Sequence, residues 1–76
     1  MLTPRQVIDA SYLESRHQLL EVAALLDRYA AAVARAGGGG SGDARLLALR
    51  DAIDLLADRT AGGERTVALL ERFAET

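Results

Sequence analysis

The sequence predicts an all-α protein, built as an antiparallel helical hairpin whose copies assemble into an oligomeric bundle. Apolar residues recur at alternating steps of four and three along the first half of the chain, which is the spacing of one face of an α-helix. Alanine and leucine supply most of the apolar content, aromatic residues make up only 4%, and valine and isoleucine are too scattered for strands. Two glycine-containing breaks divide the chain into three helical segments within a single domain.

The first helix is predicted from residue 3 to residue 36. Thr3 can cap its start, Pro4 suits the first helical position, and Gln6 completes a capping box. Such a helix would be roughly 50 Å long, too long for so small a chain to cover by itself. Its main seam consists of Ile8, Tyr12, Ser15, Leu19, Val22, Leu26, Tyr29 and Val33.

A second apolar stripe lies well away from this seam on the helical wheel. Because a helix with two apolar faces needs two neighbours, we expect the second arm of the chain to cover one face and another copy to cover the other. The predicted partner is therefore the protein itself, as a homodimer or higher oligomer, with another helical protein as the alternative. Ser15 leaves a local gap in the main seam for a large side chain from across the interface or for a hydrogen bond to a tyrosine. The second stripe consists of Leu13, Leu20, Ala24 and Ala31.

Residues 37–42 form a glycine-rich linker that is either an engineered insertion or a natural loop. Helix 2 is predicted at 43–60 with Asp43 as its cap. Helix 3 follows at 64–75, with Glu64 in its first turn. Together they would form one bent arm packed against helix 1. The expected inward residues are Leu46, Leu49, Ile53, Leu56 and Thr60 in helix 2, and Val67, Leu70 and Phe73 or Ala74 in helix 3.

The composition argues against a nucleic-acid-binding, membrane-spanning or secreted protein. The net charge of −2 with interspersed signs gives no basic face for nucleic acid. No apolar run approaches the ~18 residues of a membrane span, and the start of the chain does not resemble a signal peptide. We therefore expect a cytoplasmic protein. All nine basic residues are arginine, which is typical of a GC-rich, bacterial-like gene.

One constellation suggests metal chemistry. Glu14 and His17 lie one turn apart, as in the Glu-x-x-His motif of di-iron bundles, and Glu21 adds a carboxylate one turn further on. Two chains together would supply enough ligands for iron, manganese or zinc. However, these residues lie roughly opposite the main seam, so the simpler interpretation is a solvated charge ladder. Asp51, Asp54 and Asp58 form a second acidic stripe, with Arg50 placed to pair with Asp54.

Residues 46–54 carry a Leu-x-x-Leu-Arg-x-x-Ile-Asp pattern that resembles the opening of the all-helical chorismate mutases. The resemblance implies that Arg50 would be the counterpart of an arginine that holds the substrate's carboxylates. It covers only nine residues, the predicted helix is much shorter than the family's first helix, and the catalytic lysine has no equivalent in a chain without lysine. The pattern alone does not assign the chain to that family.

No nucleophile or general base stands in a recognisable catalytic motif, and no cofactor is expected unless the metal interpretation holds. The sequence therefore favours a small non-catalytic helical module for homo-oligomerisation or protein interaction. A carboxylate–histidine metal-binding bundle is the first alternative, and a small helical enzyme of the chorismate mutase type is the second.

Overall fold

The computed structural model describes residues 1–38, 42–60 and 62–74. Its secondary structure there consists of three helices without strands: α1 (Pro4–Arg35), α2 (Ala44–Ala57) and α3 (Arg65–Ala74). The all-α prediction is confirmed. Both ends of α1, both ends of α2 and the start of α3 lie one to three residues from the predicted positions. The middle of the predicted linker, 39–41, and the predicted end of helix 3 at residue 75 lie outside the described residues.

The chain divides into two compact units, Met1–Gly39 and Gly40–Thr76. The first unit is built on α1 alone, and the second contains α2 and α3. The folding back of helix 1 against a second arm stays a prediction. None of the described helices is long and apolar enough to cross a membrane.

Local side-chain chemistry fixes the start of α1. The Thr3 hydroxyl accepts a hydrogen bond from the Gln6 backbone N–H at 3.2 Å, and the Thr3 N–H donates to Gln6 Oε1 at 2.8 Å. This reciprocal pair is the predicted capping box, and Pro4 occupies the first turn, where a missing N–H costs nothing.

The end of α1 is fixed by the first two residues of the glycine run. The Gly38 N–H donates to the Val33 carbonyl at 2.8 Å, and the Gly37 N–H donates to the Ala34 carbonyl at 3.2 Å. This is a Schellman motif, which requires a left-handed residue just after the helix. Gly37 supplies it with φ of +80°, a conformation that a Cβ would strain. The start of the glycine run therefore terminates the helix as well as linking it onward.

In the second unit, α2 and α3 pack against each other, whereas the sequence predicted them as successive parts of one bent arm. The buried residues of α2 are Leu46, Ala48 and Ala52. The alanines are nearly inaccessible because a small side chain lets two helices approach closely. On α3, the half-buried residues are Ala68, Leu69 and Arg72.

Of the expected inward positions, Leu46 is buried and Leu49 is half-buried, whereas several others are not covered within the second unit. Ile53 and Leu56 of α2 are exposed, and so are Val67, Leu70 and Phe73 of α3. The described part of the second unit buries its alanine-containing faces and leaves some larger apolar side chains outside. Glu64 lies just before α3 and not in its first turn. Its carbonyl accepts a hydrogen bond from the Ala68 N–H at 3.2 Å.

Candidate interaction surface

Helix α1, which the structure describes in full, contains no buried residue. The C-terminal half of its main seam is half-buried, while the N-terminal half is exposed. The first unit contains no second helix that could bury an apolar face of α1, although most helical stability in proteins comes from packing of such a face. The half-buried members are Val22, Leu26, Tyr29 and Val33, and the exposed members are Ile8, Tyr12, Ser15 and Leu19.

The exposed half of the seam contains the gap expected at Ser15. A groove runs along the helix surface there, with Tyr12 and Leu19 one turn to either side of Ser15 and with Arg16, Leu20 and Ala23 as its other lining residues. Leu19 retains 69% of its accessible surface and Tyr12 retains 58%. The groove is therefore largely apolar, open to a side chain from outside and edged by one arginine.

The second stripe of α1 is exposed along its whole length. Leu13 retains 76% of its accessible surface and Leu20 retains 53%, and Ala24 and Ala31 are exposed as well. Both stripes thus place leucines in solvent, Leu13 in the N-terminal half of α1 and Leu19 and Leu20 at its middle. Whether either stripe contacts another chain stays a prediction.

The proposed metal ligands lie on the far side of α1 from the seam. His17 Nε2 lies 3.1 Å from Glu21 Oε1, and about 70% of each side chain is exposed. Glu14 is exposed one turn earlier. Among the described residues of one chain, no group of three histidine or acidic side chains is placed to hold a metal ion. The pair forms one rung of the expected charge ladder.

The acidic residues of α2 do not form the predicted pair of Asp54 with Arg50, and two of them have other partners. Asp51 accepts from Arg72 of α3, with Arg72 Nη2 at 2.7 Å and Nε at 3.2 Å from the same Oδ2. Asp58 accepts from the backbone and hydroxyl of Thr60 just beyond the helix. Within the described part of α2, the structure gives no ion pair between Arg50 and Asp54.

Sequence reasoning missed the pairing of Asp51 with Arg72, since twenty-one residues separate the two and no local spacing rule joins them. It also passed over Asp9 and Arg16, which flank the exposed half of the main seam on one side. The signal for those two was available, because residues adjacent to a seam in a paired helix commonly carry the charges that set orientation.

The start of α2 carries the clearest electrostatic perturbation. Asp43 caps the helix by accepting from the Arg45 N–H at 2.8 Å, and its carboxylate also pairs with the Arg45 guanidinium. These hydrogen bonds lower the pKa of Asp43 to about 2, mainly through the Arg45 side chain, and the same pair raises the pKa of Arg45. Arg45 is exposed and Asp43 is half-buried, and the hydrogen bonds of the Asp43 carboxylate cap the start of the helix.

Comparison with models of known families, with curated proteins and with solved structures gives no match. The local resemblance to chorismate mutases therefore gains no support from the comparisons. Arg50, its implied binding residue, lies exposed on α2. The surface of α1 is the feature on which a function can be argued.

Proposed function

We propose that the protein is a small non-catalytic helical module that associates with itself through α1. The observation that carries this proposal is the absence of any buried residue along a helix of 32 residues, which is described in full and displays leucines on two stripes. Exposed apolar surface of this extent, bordered by charged residues, is typical of a protein–protein contact.

The length of α1 supports the same proposal. At 1.5 Å per residue, α1 is about 48 Å long, whereas α2 is about 21 Å long and α3 about 15 Å. Each of these helices can cover half of α1 at most. A second α1 has the length and the matching pattern to cover what is left, and two-fold dimers are the commonest assemblies of soluble proteins.

Mass by light scattering on a sizing column, over a range of protein concentrations, tests the proposal. We expect a dimer or higher oligomer for the native chain and dissociation for Leu19→Asp, because an unpaired charge buried in an apolar interface costs several kcal/mol. Leu13→Asp tests the second stripe in the same way. Val7→Asp, an exposed position on the side of Glu14, is the matched control and should leave the mass unchanged.

A native chain that is monomeric at every concentration would refute self-association. An oligomer that withstands both Leu19→Asp and Leu13→Asp would refute α1 as its contact surface. Circular dichroism on each variant separates loss of association from loss of helix.

Metal binding is the second candidate, favoured by the short His17–Glu21 distance of 3.1 Å. Metal content measured on the same sizing peak, after growth with iron, manganese and zinc, tests it. Stoichiometric metal that disappears in His17→Ala would establish the site. A metal-free peak would remove this candidate and leave the interaction module.

A further inference from the structure

We infer that two copies of α1 pair antiparallel through the exposed half of the main seam, with Tyr12 of each chain in the Ser15 groove of the other. This inference rests on the proposed self-association and adds its orientation and register. In a two-fold symmetric contact, if residue i of one chain contacts residue j of the other, then residue j of the first chain contacts residue i of the second. A seam with a large residue at one position and a gap one turn away is therefore self-complementary when two copies run in opposite directions.

The groove supplies the first observation. It has Tyr12 and Leu19 on either side of Ser15, and Tyr12 is itself exposed at 58%. If Tyr12 of one chain packs at Ser15 of the next, Ile8 packs at Leu19 in the same register. The Tyr12–Ser15 layer then combines a large and a small side chain, and the Ile8–Leu19 layer combines two aliphatic side chains of equal size.

The flanking charges supply the second observation. Asp9 and Arg16 each follow a seam residue directly and lie on the same side of it. In the antiparallel register just described, Asp9 of one chain lies beside Arg16 of the other, offset by about 3 Å along the axis. Two-fold symmetry makes this pair twice. Asp9 already pairs with Arg5 of its own helix at 3.8 Å, but its side chain is 69% exposed, so the carboxylate is accessible to a second arginine.

The neighbouring registers are unfavourable for the same reason. A shift by one heptad in one direction places Arg16 beside Arg16, and a shift in the other places Asp9 beside Asp9. A parallel pair sets Ser15 against Ser15, which leaves the gap unfilled. It also places Asp9 and Arg16 beside uncharged residues of the partner. The register with Tyr12 at Ser15 thus fills the groove and pairs the charges at once.

Charge reversal with mixing of variants tests the register. Asp9→Arg and Arg16→Asp should each weaken dimerisation about tenfold, since each creates two like-charge pairs per dimer in place of two attractive ones. An equimolar mixture of the two variants should recover native affinity as a heterodimer, because every flanking pair is then again Arg with Asp. The chain that carries both changes should recover it as a homodimer.

Sedimentation equilibrium gives the affinities, and native mass spectrometry with one variant isotope-labelled identifies the heterodimer. Glu14→Arg, on the far side of the helix, is the matched control and should dimerise like the native chain. Circular dichroism of each variant checks that the helix persists.

The outcomes are distinct. A native dimer whose affinity neither reversal changes would overturn the antiparallel register and leave self-association standing. Weakening by both reversals without recovery on mixing would also overturn it, since the losses would then arise within one helix. A monomeric native chain would overturn the proposed function itself.

Discussion

The ion pair between Asp51 of α2 and Arg72 of α3 allows a quantitative test of how the second unit is held together. We consider Asp51→Ala, Arg72→Ala and the double variant. The pair links the side chains of the two helices, with both guanidinium contacts on one carboxylate oxygen at 2.7 and 3.2 Å. A double-mutant cycle is needed, because Arg72 has a further interaction that Arg72→Ala alone would also remove.

The expected coupling follows from the exposure of the two groups. The Arg72 side chain is 28% exposed and the Asp51 side chain is 58% exposed, so solvent screens the pair substantially. The short contacts place it in the upper part of the range for exposed pairs, at about 0.5–1 kcal/mol. In a chain of this size that corresponds to a change in the thermal midpoint of about 2–8 °C.

Thermal unfolding followed by far-ultraviolet circular dichroism measures the cycle, at low salt and again at roughly 1 M salt, where the screening length is ~3 Å. We expect the coupling to fall in high salt. Asp54→Ala, an exposed acidic position on the same helix, should change stability by less than about 0.5 kcal/mol. A coupling below about 0.2 kcal/mol at low salt would refute this account of α2–α3 packing.

Three further predictions concern the helix ends. Thr3→Ala should cost about 1 kcal/mol and speed amide exchange in the first turn of α1, whereas Thr3→Ser should not. Gly37→Ala should destabilise the protein by about 1–2 kcal/mol. The cost comes from the left-handed backbone alone, since a Cβ at Gly37 meets nothing within 4 Å. The control is Gly42→Ala, which is equally open but has no positive φ and should leave thermal unfolding unchanged. The pKa of Asp43 is lowered from 3.8 to about 2. The Asp43 carboxylate therefore contributes fully to stability above pH 3.8, and this contribution is lost as the pH falls through about 2. In Arg45→Ala, NMR titration should show a higher pKa for Asp43.

The ends of α1 and the start of α2 could be predicted from sequence because their determinants are local. A threonine three residues before a glutamine, or an aspartate before a helical run, satisfies free N–H groups wherever the rest of the chain lies. The same holds for the glycine that closes α1, although the sequence did not distinguish its capping role from its linking role. Thr3, Gln6 and Gly37 act over six residues or fewer.

The faces of α2 and α3 could not be predicted in the same way. The apolar spacing of α2 fits a leucine-rich face as well as an alanine-rich one, and choosing between them requires knowing how closely the neighbouring helix approaches. The structure buries Ala48 and Ala52 and exposes Leu56. Arg72, a charged residue, lies half-buried against Asp51, a choice that no apolar periodicity can indicate.

In α1, the residues that define where the helix begins and ends are different from those that would stabilise it. Its two ends are closed by hydrogen bonds, so the chain encodes where the helix begins and stops. Those bonds contribute about 1 kcal/mol each, and isolated helices up to ~15 residues are marginal in water. The exposed stretch from Ile8 to Leu19 lacks any buried side chain to add to this. We therefore expect the stability of this stretch to depend on a partner and, if the partner is another copy, to rise with protein concentration.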